Sequence, residues 1–354
     1  MKEIKIPTKL INMCKTCVQK TRSAVRIEGT LSSFFENKTG LKQGDPLSLI
    51  LFNLALQKVI QSIKMIPSGT KIGKKQLNIL AYADDIALIG KNEIEIRTLF
   101  VEVENIARKF GLWMNQEKTK YMIVERKNNL KKNKIGHSII KYYQFERVEN
   151  FKYLGVILNE DNDNQIDLQE RIENAKKTYF MLQKFFKNKN ISKKSKLGLK
   201  NTIIDKVLTY ASETWTLTKR DRKQLNDLER KVYRRLLGPV YDNEKENWRI
   251  LTNKEIYASV KKPTIIKTMR LNRLRWFGHV QRMEENRIPK TVSYMNLETT
   301  RLKGRPRNRW QDGVREDGRI AGGVRWQEKI HNREEWKKLM RTARNRRILH
   351  MPME

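Results

Sequence analysis

Read for its apolar positions, the first 160 residues alternate between helical and strand-like periods. Asp45-Pro46 precedes LSLILFNLALQKVI, where Leu47, Ile50, Leu51, Leu54, Leu56 and Val59 cover most of a helical circumference. Asp at the cap and Pro in the first helical position predict a helix start, and apolar coverage that wide predicts a helix inside a domain. LNILAYADDIALIG then reads as two β-prone segments joined at Ala83-Asp84-Asp85, a tight hairpin. After Asn92, with Glu95 three residues on, Ile96, Leu99, Phe100, Val103, Ala107 and Phe110 recur at helical spacing until Gly111. Short strand-like segments follow at LWMN and KYMIV. The order predicts an α+β fold, helices packed on a small antiparallel sheet.

Beyond about residue 160 the pattern becomes helical with long basic faces. Ile166, Leu168, Ile172, Ala175, Tyr179 and Leu182 fall at roughly helical spacing, and DRKQLNDLERKVYRRLLG ends at Gly238-Pro239, a strong helix stop. From about 262 onward Gly, Pro and Arg accumulate, as in LKGRPRNRWQDGVREDGR, which predicts a loop-rich, partly ordered region. There is no internal repeat.

Composition sharpens this picture. The chain has 354 residues, room for two or three domains, and 75 Lys+Arg against 39 Asp+Glu give a formal charge of +36. That excess is the electrostatic footprint of a nucleic-acid partner. Roughly a quarter of it lies before residue 127, so the polymer-binding surface is expected in the later part. Cys14 and Cys17 are the only cysteines and the four histidines are scattered, which excludes a four-ligand zinc finger or knuckle. The CxxC sits in KLINMCKTCVQK and reads as two small fillers on a helix. Cysteine poverty suits a reducing compartment, the N-terminus resembles no signal peptide, and the apolar run Leu47 to Leu51 is too short to cross a bilayer. The expectation is an intracellular protein, cytoplasmic or nuclear, without a membrane partner.

The chemistry concentrates in ILAYADDIALIG, which places two carboxylates in the middle of an apolar run. An unpaired buried charge costs several kcal/mol. Either Asp84 and Asp85 form an ordinary acidic turn, or they project toward divalent ions, which favour oxygen ligands and activate phosphoryl transfer in pairs roughly 4 Å apart.

The neighbouring segments bear on that choice. Gly40-Leu41-Lys42-Gln43-Gly44-Asp45-Pro46-Leu47-Ser48, Tyr82-Ala83-Asp84-Asp85, Gly111 to Asn115 with Lys118-Thr119-Lys120, and Phe151-Lys152-Tyr153-Leu154-Gly155 stand in the order of motifs B, C and D and the primer grip. The chain thereby resembles the reverse transcriptase of non-long-terminal-repeat (LINE-type) retrotransposons. YASETWTLTKRDRKQLNDLERKVYRRLLG, RLRWFGHVQRMEENRIPK and GRPRNRWQDGVRED resemble the region downstream in insect-type elements. The resemblance implies RNA-directed DNA synthesis from deoxynucleoside triphosphates on an RNA template and DNA primer, with Mg2+ or Mn2+. It implies a partial polymerase palm over 1–158, a helical thumb-like region over 159–260 and a basic, nucleic-acid-binding region over 261–354. Asp84 and Asp85 would be the metal ligands and Lys118 a proton donor to the leaving pyrophosphate. Gln43, Gly44 and Tyr82 would meet template and nucleotide, and Tyr153, Leu154 and Gly155 the primer.

In that family a strand carrying motif A precedes the segment matching residues 1–40, and its aspartate bridges both ions. The sequence here begins after that point. Asp45 is accounted for by its helix start and Glu28 lies in a predicted strand, so neither replaces it. The expectation is a C-terminal part of a longer element protein whose polymerase activity is weak or absent. A non-catalytic nucleic-acid-binding remnant, or a domesticated RNA- or DNA-binding protein, is the alternative. For such binding, Arg273, Arg275 and Trp276 interleave arginines with an aromatic ring, and Arg305 and Arg307 flank a proline as in minor-groove hooks.

Overall fold

The computed structural model describes residues 1–37, 40–124, 137–295 and 309–345. The helices are α1 (Thr8–Val18), α2 (Pro46–Lys64), α3 (Glu93–Lys109), α4 (Gln165–Met181), α5 (Gln183–Lys187), α6 (Lys193–Leu199), α7 (Asp205–Thr209), α8 (Lys219–Leu237), α9 (Asn253–Val260), α10 (Ile265–Gln281), α11 (Ile288–Tyr294), α12 (Trp310–Gly322) and α13 (Arg333–Asn345). The strands are β1 (Thr21–Ser23), β2 (Arg26–Ile27), β3 (Thr30–Leu31), β4 (Phe35–Asn37), β5 (Thr70–Ile72), β6 (Lys75–Leu77), β7 (Ile79–Tyr82), β8 (Asp85–Leu88), β9 (Lys120–Tyr121), β10 (His137–Ile140), β11 (Tyr143–Arg147), β12 (Asn150–Tyr153), β13 (Val156–Asn159), β14 (Val240–Asp242) and β15 (Asn247–Arg249). The fold is α+β, and the chain divides into two units, residues 1–121 with 133–147 and residues 122–132 with 148–354.

In the first unit, Asp45 caps α2 by accepting from Leu47 N at 2.9 Å, and Pro46 opens the helix. Leu56, Val59 and Ile63 of α2 pack with Leu99 and Val103 of α3 and with Ile79 of β7. Each such side chain contributes about 1.5–3 kcal/mol on burial. The N-terminal half of α2 departs from the expected interior helix, since Leu49 and Ile50 are exposed. By length and apolarity α2 alone, among the described residues, could cross a membrane; its C-terminal half packs on α3 and β7 while much of its N-terminal half is exposed.

Two further corrections concern this unit. The expected single antiparallel sheet is instead a set of separate hairpins, with one parallel pairing, β9 beside β11. LWMN forms no strand, because Gly111 adopts φ 70 and the chain turns out of α3. The β10–β11 hairpin is pinned to α3 by Glu104, 1% exposed, which accepts from Lys141 Nζ and Tyr142 Oη, each at 2.6 Å, and pairs with Arg108. A carboxylate so enclosed is tolerable only with partners on both oxygens.

The second unit is helical, with the hairpins β12–β13 and β14–β15. Its larger core gathers Leu168, Ile172 and Ala175 of α4, Leu225, Val232 and Tyr233 of α8, Ile256 of α9 and Ile265 of α10. A second core corrects the expectation of a loop-rich C-terminal region. Leu271 and Leu274 of α10, Val314 of α12, Trp326, and Trp336, Leu339 and Met340 of α13 pack together. Glycines make room for the indoles: a Cβ at Gly318 would lie 2.6 Å from Trp326 Cζ2 and nearer still to two other ring atoms. Gly318→Ala is therefore expected to destabilise the chain by about 1–3 kcal/mol in urea unfolding, through overpacking. Gly198→Ala, on α6 with nothing within 4 Å of the same position, is expected to be neutral or stabilising by up to about 1 kcal/mol. Equal effects at the two positions would contradict the packing read from the structure.

Candidate functional site

Asp84 stands at the tip of the β7–β8 hairpin. Tyr82 pairs with Asp85, so the loop is the two residues Ala83 and Asp84, and Ala83 takes the left-handed φ of 50 that such a turn demands. The pleat divides the side chains. Ile79 and its partner Leu88 belong to the core with α2 and α3, while Leu80, Ala87, Tyr82 and Asp85 share the opposite face. Asp84, Asp85 and Tyr82 are all exposed. The sequence places these carboxylates in an apolar run, yet only one face of that run is buried, and the charges need no compensating ion to exist there.

The base of the hairpin is locked by a residue that pattern reading missed. Asn78, 3% exposed, donates from Nδ2 to the carbonyls of Ile63 and Ile66 at 2.8 and 3.1 Å, satisfying the end of α2, and its own carbonyl accepts from Ile89 N. Across the same corner the Glu95 carboxylate accepts from Gly69 N and Lys91 N, at 2.9 and 3.0 Å, and both bonds hold it below the usual carboxylate range. An Asn immediately before a strand that returns to a helix end is the signal that could have revealed this clamp.

The other expected residues of the first unit are exposed as well. Gln43 and Gly44 form the turn before α2, closed by Asp45 N to Lys42 O at 3.3 Å, and Gly44 takes φ 91 with open space around it. That position suits glycine because a side chain would be strained whatever the room. Lys118 lies in a turn built on Asn115, whose side chain accepts from Lys118 N at 3.1 Å. Glu28 is a turn residue with φ 46 rather than a strand residue.

Tyr153, Leu154 and Gly155 belong to the β12–β13 hairpin of the second unit. Leu154 and Gly155 are its turn, with φ 48 and 77. The turn is held from below: Arg171 Nη2 donates to Gly155 O at 3.0 Å, and Tyr210 Oη to Leu154 O at 3.0 Å. Arg171 is itself a buried partner of Asp167, whose other oxygen accepts from Ile157 N at 3.0 Å. Arg171 also lies over the Tyr210 and Trp215 rings. The buried ion pair thus anchors the backbone of this turn.

Of the later candidates, Arg275 and Trp276 are exposed on α10, where the Trp276 ring lies 5.8 Å from that of the exposed His279. Arg273 is not available. It is buried, donating to Asp317 from Nε at 2.9 Å and to Trp215 O from Nη1 at 2.9 Å, because its helical register points it between α12 and the Ser212–Thr214 turn. Arg305 and Arg307 lie outside the described residues.

Asp84 and Asp85 supply the oxygen donors that Mg2+ or Mn2+ prefers. Two-ion chemistry needs carboxylates converging from more than one element, and among the described residues no group of three His, Cys, Asp or Glu gathers. The described residues therefore do not by themselves fit a two-ion centre.

A family model described as reverse transcriptase (RNA-dependent DNA polymerase) matches residues 1–158. A transposon-derived protein of Caenorhabditis elegans is 24% identical over 284 residues, 77% of this chain and 98% of that protein. The Pol polyprotein of the type-1 retrotransposable element R2 of Popillia japonica is 37% identical over 83 residues, 23% of this chain and 12% of that one. The type-2 element R2DM polyprotein of Drosophila melanogaster is 30% identical over 142 residues, 36% of this chain and 13% of that one. The chain thus spans nearly all of the nematode relative but only about an eighth of the R2 polyproteins.

Proposed function

We infer, from a chain whose residues 1–158 belong to the reverse transcriptase family of non-long-terminal-repeat retrotransposons, that it serves as the nucleic-acid-gripping and partial catalytic portion of RNA-directed DNA synthesis. The observation that carries this reading is Asp84 at the tip of a hairpin clamped by Asn78, with Asp85 and Tyr82 paired on one exposed face. In this reading residues 1–158 are a partial palm, 159–260 a thumb-like region and 261–354 a basic nucleic-acid-binding region. The β12–β13 hairpin belongs to the first by sequence and packs in the helical unit.

The roles follow from placement. The Gln43-Gly44 turn offers exposed backbone at the head of α2 to template and incoming nucleotide. Tyr82 offers a ring face to the primer end, Lys118 an ammonium to the leaving pyrophosphate, and the Leu154-Gly155 turn a fixed edge for the primer backbone. A divalent ion would supply charge neutralisation at the transferred phosphoryl group. Asp84 and Asp85 could hold it only together with a further carboxylate.

The chain is accordingly expected to bind an RNA–DNA primer–template, steeply weakened by salt, and to extend the primer little or not at all. Anisotropy titration and primer extension with Mg2+, each compared with Asp84→Asn, test this. Binding unchanged in Asp84→Asn with negligible extension is the expected result. Extension by the chain alone that disappears in Asp84→Asn would show that the site is complete, and absent binding would overturn the reading altogether.

A further inference from the structure

The second unit carries an open cleft of about 620 Å3 far along the sequence from the hairpin carboxylates, lined by Lys261, Lys262, Pro263, Arg341, Arg344 and Asn345. One wall is the turn between α9 and α10, where Lys261 takes φ 51 and donates its N–H to Tyr257 O at 3.2 Å, closing α9. The other is the last turn of α13, a helix fixed from its opposite face by the buried Trp336, Leu339, Met340 and Ala343. The two walls are tied together. Lys267, 4% exposed, donates from Nζ to Arg344 O at 2.9 Å, so an ammonium on α10 holds the end of α13 in place.

The lining is four cations and an amide, with no carboxylate among them. Among the described residues none of Lys261, Lys262, Arg341 and Arg344 makes an ion pair, although most acids on this unit's helices do so, as Glu334 does with Lys337 on α13 itself. Gathering four cations around one depression works against the folded state: Glu334 on α13 attracts Arg341 without a direct ion pair, and Arg344 also presses on Arg275 of α10. The exposed Trp276, also on α10, offers a ring on which a base could stack.

The chemistry of the lining selects its ligand. Sites for small metabolites are mostly enclosed and apolar, with a few polar groups to fix orientation; this cleft is open and cationic throughout. It has no carboxylate to receive the amines of a peptide or the exocyclic groups of a base. Guanidinium forks and ammonium groups spaced across two walls suit successive phosphate oxygens. We propose that this cleft binds the sugar–phosphate backbone of a nucleic-acid strand, as a second contact separate from the Asp84 hairpin. The proposal rests on the reading above that the chain binds nucleic acid.

The experiment uses the full chain and a fluorescein-labelled single-stranded RNA, titrated at several salt concentrations. Lys262→Glu/Arg341→Glu reverses two lining charges; Lys187→Glu/Lys189→Glu reverses two exposed lysines elsewhere in the same unit and leaves the same net charge. The cleft pair is expected to weaken binding at least tenfold at low salt. Its log–log salt slope should be shallower by about 1.4, the counterion release of two lost single-strand contacts. The control pair should fall well short of both. Lys262→Gln/Arg341→Gln, which keeps the side-chain size, should show the same order of effects if charge reversal disturbs the helical circular dichroism. Equal losses in cleft and control pairs would overturn the cleft while leaving nucleic-acid binding intact, and no binding by the unaltered chain would overturn both.

Discussion

Asp317→Ala is expected to destabilise the chain by about 3–5 kcal/mol, the cost of stranding a buried charge. Asp317 is 2% exposed and Arg273 7%, and the carboxylate accepts from Arg273 Nε at 2.9 Å while Arg270 Nε stands 3.4 Å from its other oxygen. Burial raises the Asp317 carboxyl above its usual range, and the Arg273 charge and hydrogen bond oppose that rise. The alanine variant removes the only anion paired with Arg273 among the described residues and leaves Arg273 ionised inside the fold, since a guanidinium does not shed its proton. The pair itself is a different matter. Replacing both partners by apolar residues, as in Arg273→Met/Asp317→Leu, is expected to cost far less than Asp317→Ala alone, because desolvation of two ions nearly cancels their attraction. Urea unfolding of the singles and the double closes the cycle. A double variant as unstable as Asp317→Ala would mean that the ion pair, rather than the absence of a stranded charge, holds α10 to α12.

The same pair shows where sequence reading fails. The start of α2 at Asp45-Pro46, the hairpin at Ala83-Asp84 and the stop of α8 at Gly238 were legible because each is set by local chemistry: a cap, an alternation of period two, a glycine with φ 80. The Leu154-Gly155 turn was legible as a motif. The supports under these features were not. Asp167 and Arg171 are spaced i,i+4 like any solvated helix pair, yet both are buried beneath that turn. Arg273 stands beside Arg275 and Trp276 in an interleaving of arginines with an aromatic ring and turns inward instead, so that pattern assigned a core residue to the surface. The core beyond residue 262 was hidden for the same reason, its tryptophans being outnumbered by arginines. The signal that was present is the pairing of Gly278 and Gly318 with Trp336 and Trp326, small residues making room for indoles.

A second large effect is expected from pH at Glu229, on the buried face of α8. Its carboxylate accepts from Ile265 N, in the first turn of α10, at 3.0 Å and from Tyr257 Oη of α9 at 3.2 Å, so one residue joins three helices. The charged groups around it are Lys200, 3.7 Å away in the π-helical segment Lys200–Ile204, and Asp205, which holds the same ammonium at 2.7 Å; Lys200 also lies over the Tyr233 ring. Burial pushes the Glu229 carboxyl up from 4.5 to about 7, against the attraction of Lys200. A carboxyl raised on folding stabilises the protein fully below 4.5, and that contribution is lost as pH rises through 7. The loss over this window amounts to about 3 kcal/mol. Glu229→Gln cannot ionise; its carbonyl oxygen remains an acceptor for Ile265 N, its amide N–H faces the Tyr257 hydroxyl oxygen, which can accept it, and Lys200 retains Asp205. The stability of the unaltered chain relative to Glu229→Gln, from urea unfolding, should therefore fall by about 3 kcal/mol between pH 4.5 and 8. Glu255 does not interfere, since Arg249 lowers it to about 2 and it titrates below the window. Parallel pH profiles for the two proteins would mean that Glu229 is ionised throughout, with Lys200 rather than a proton compensating its burial.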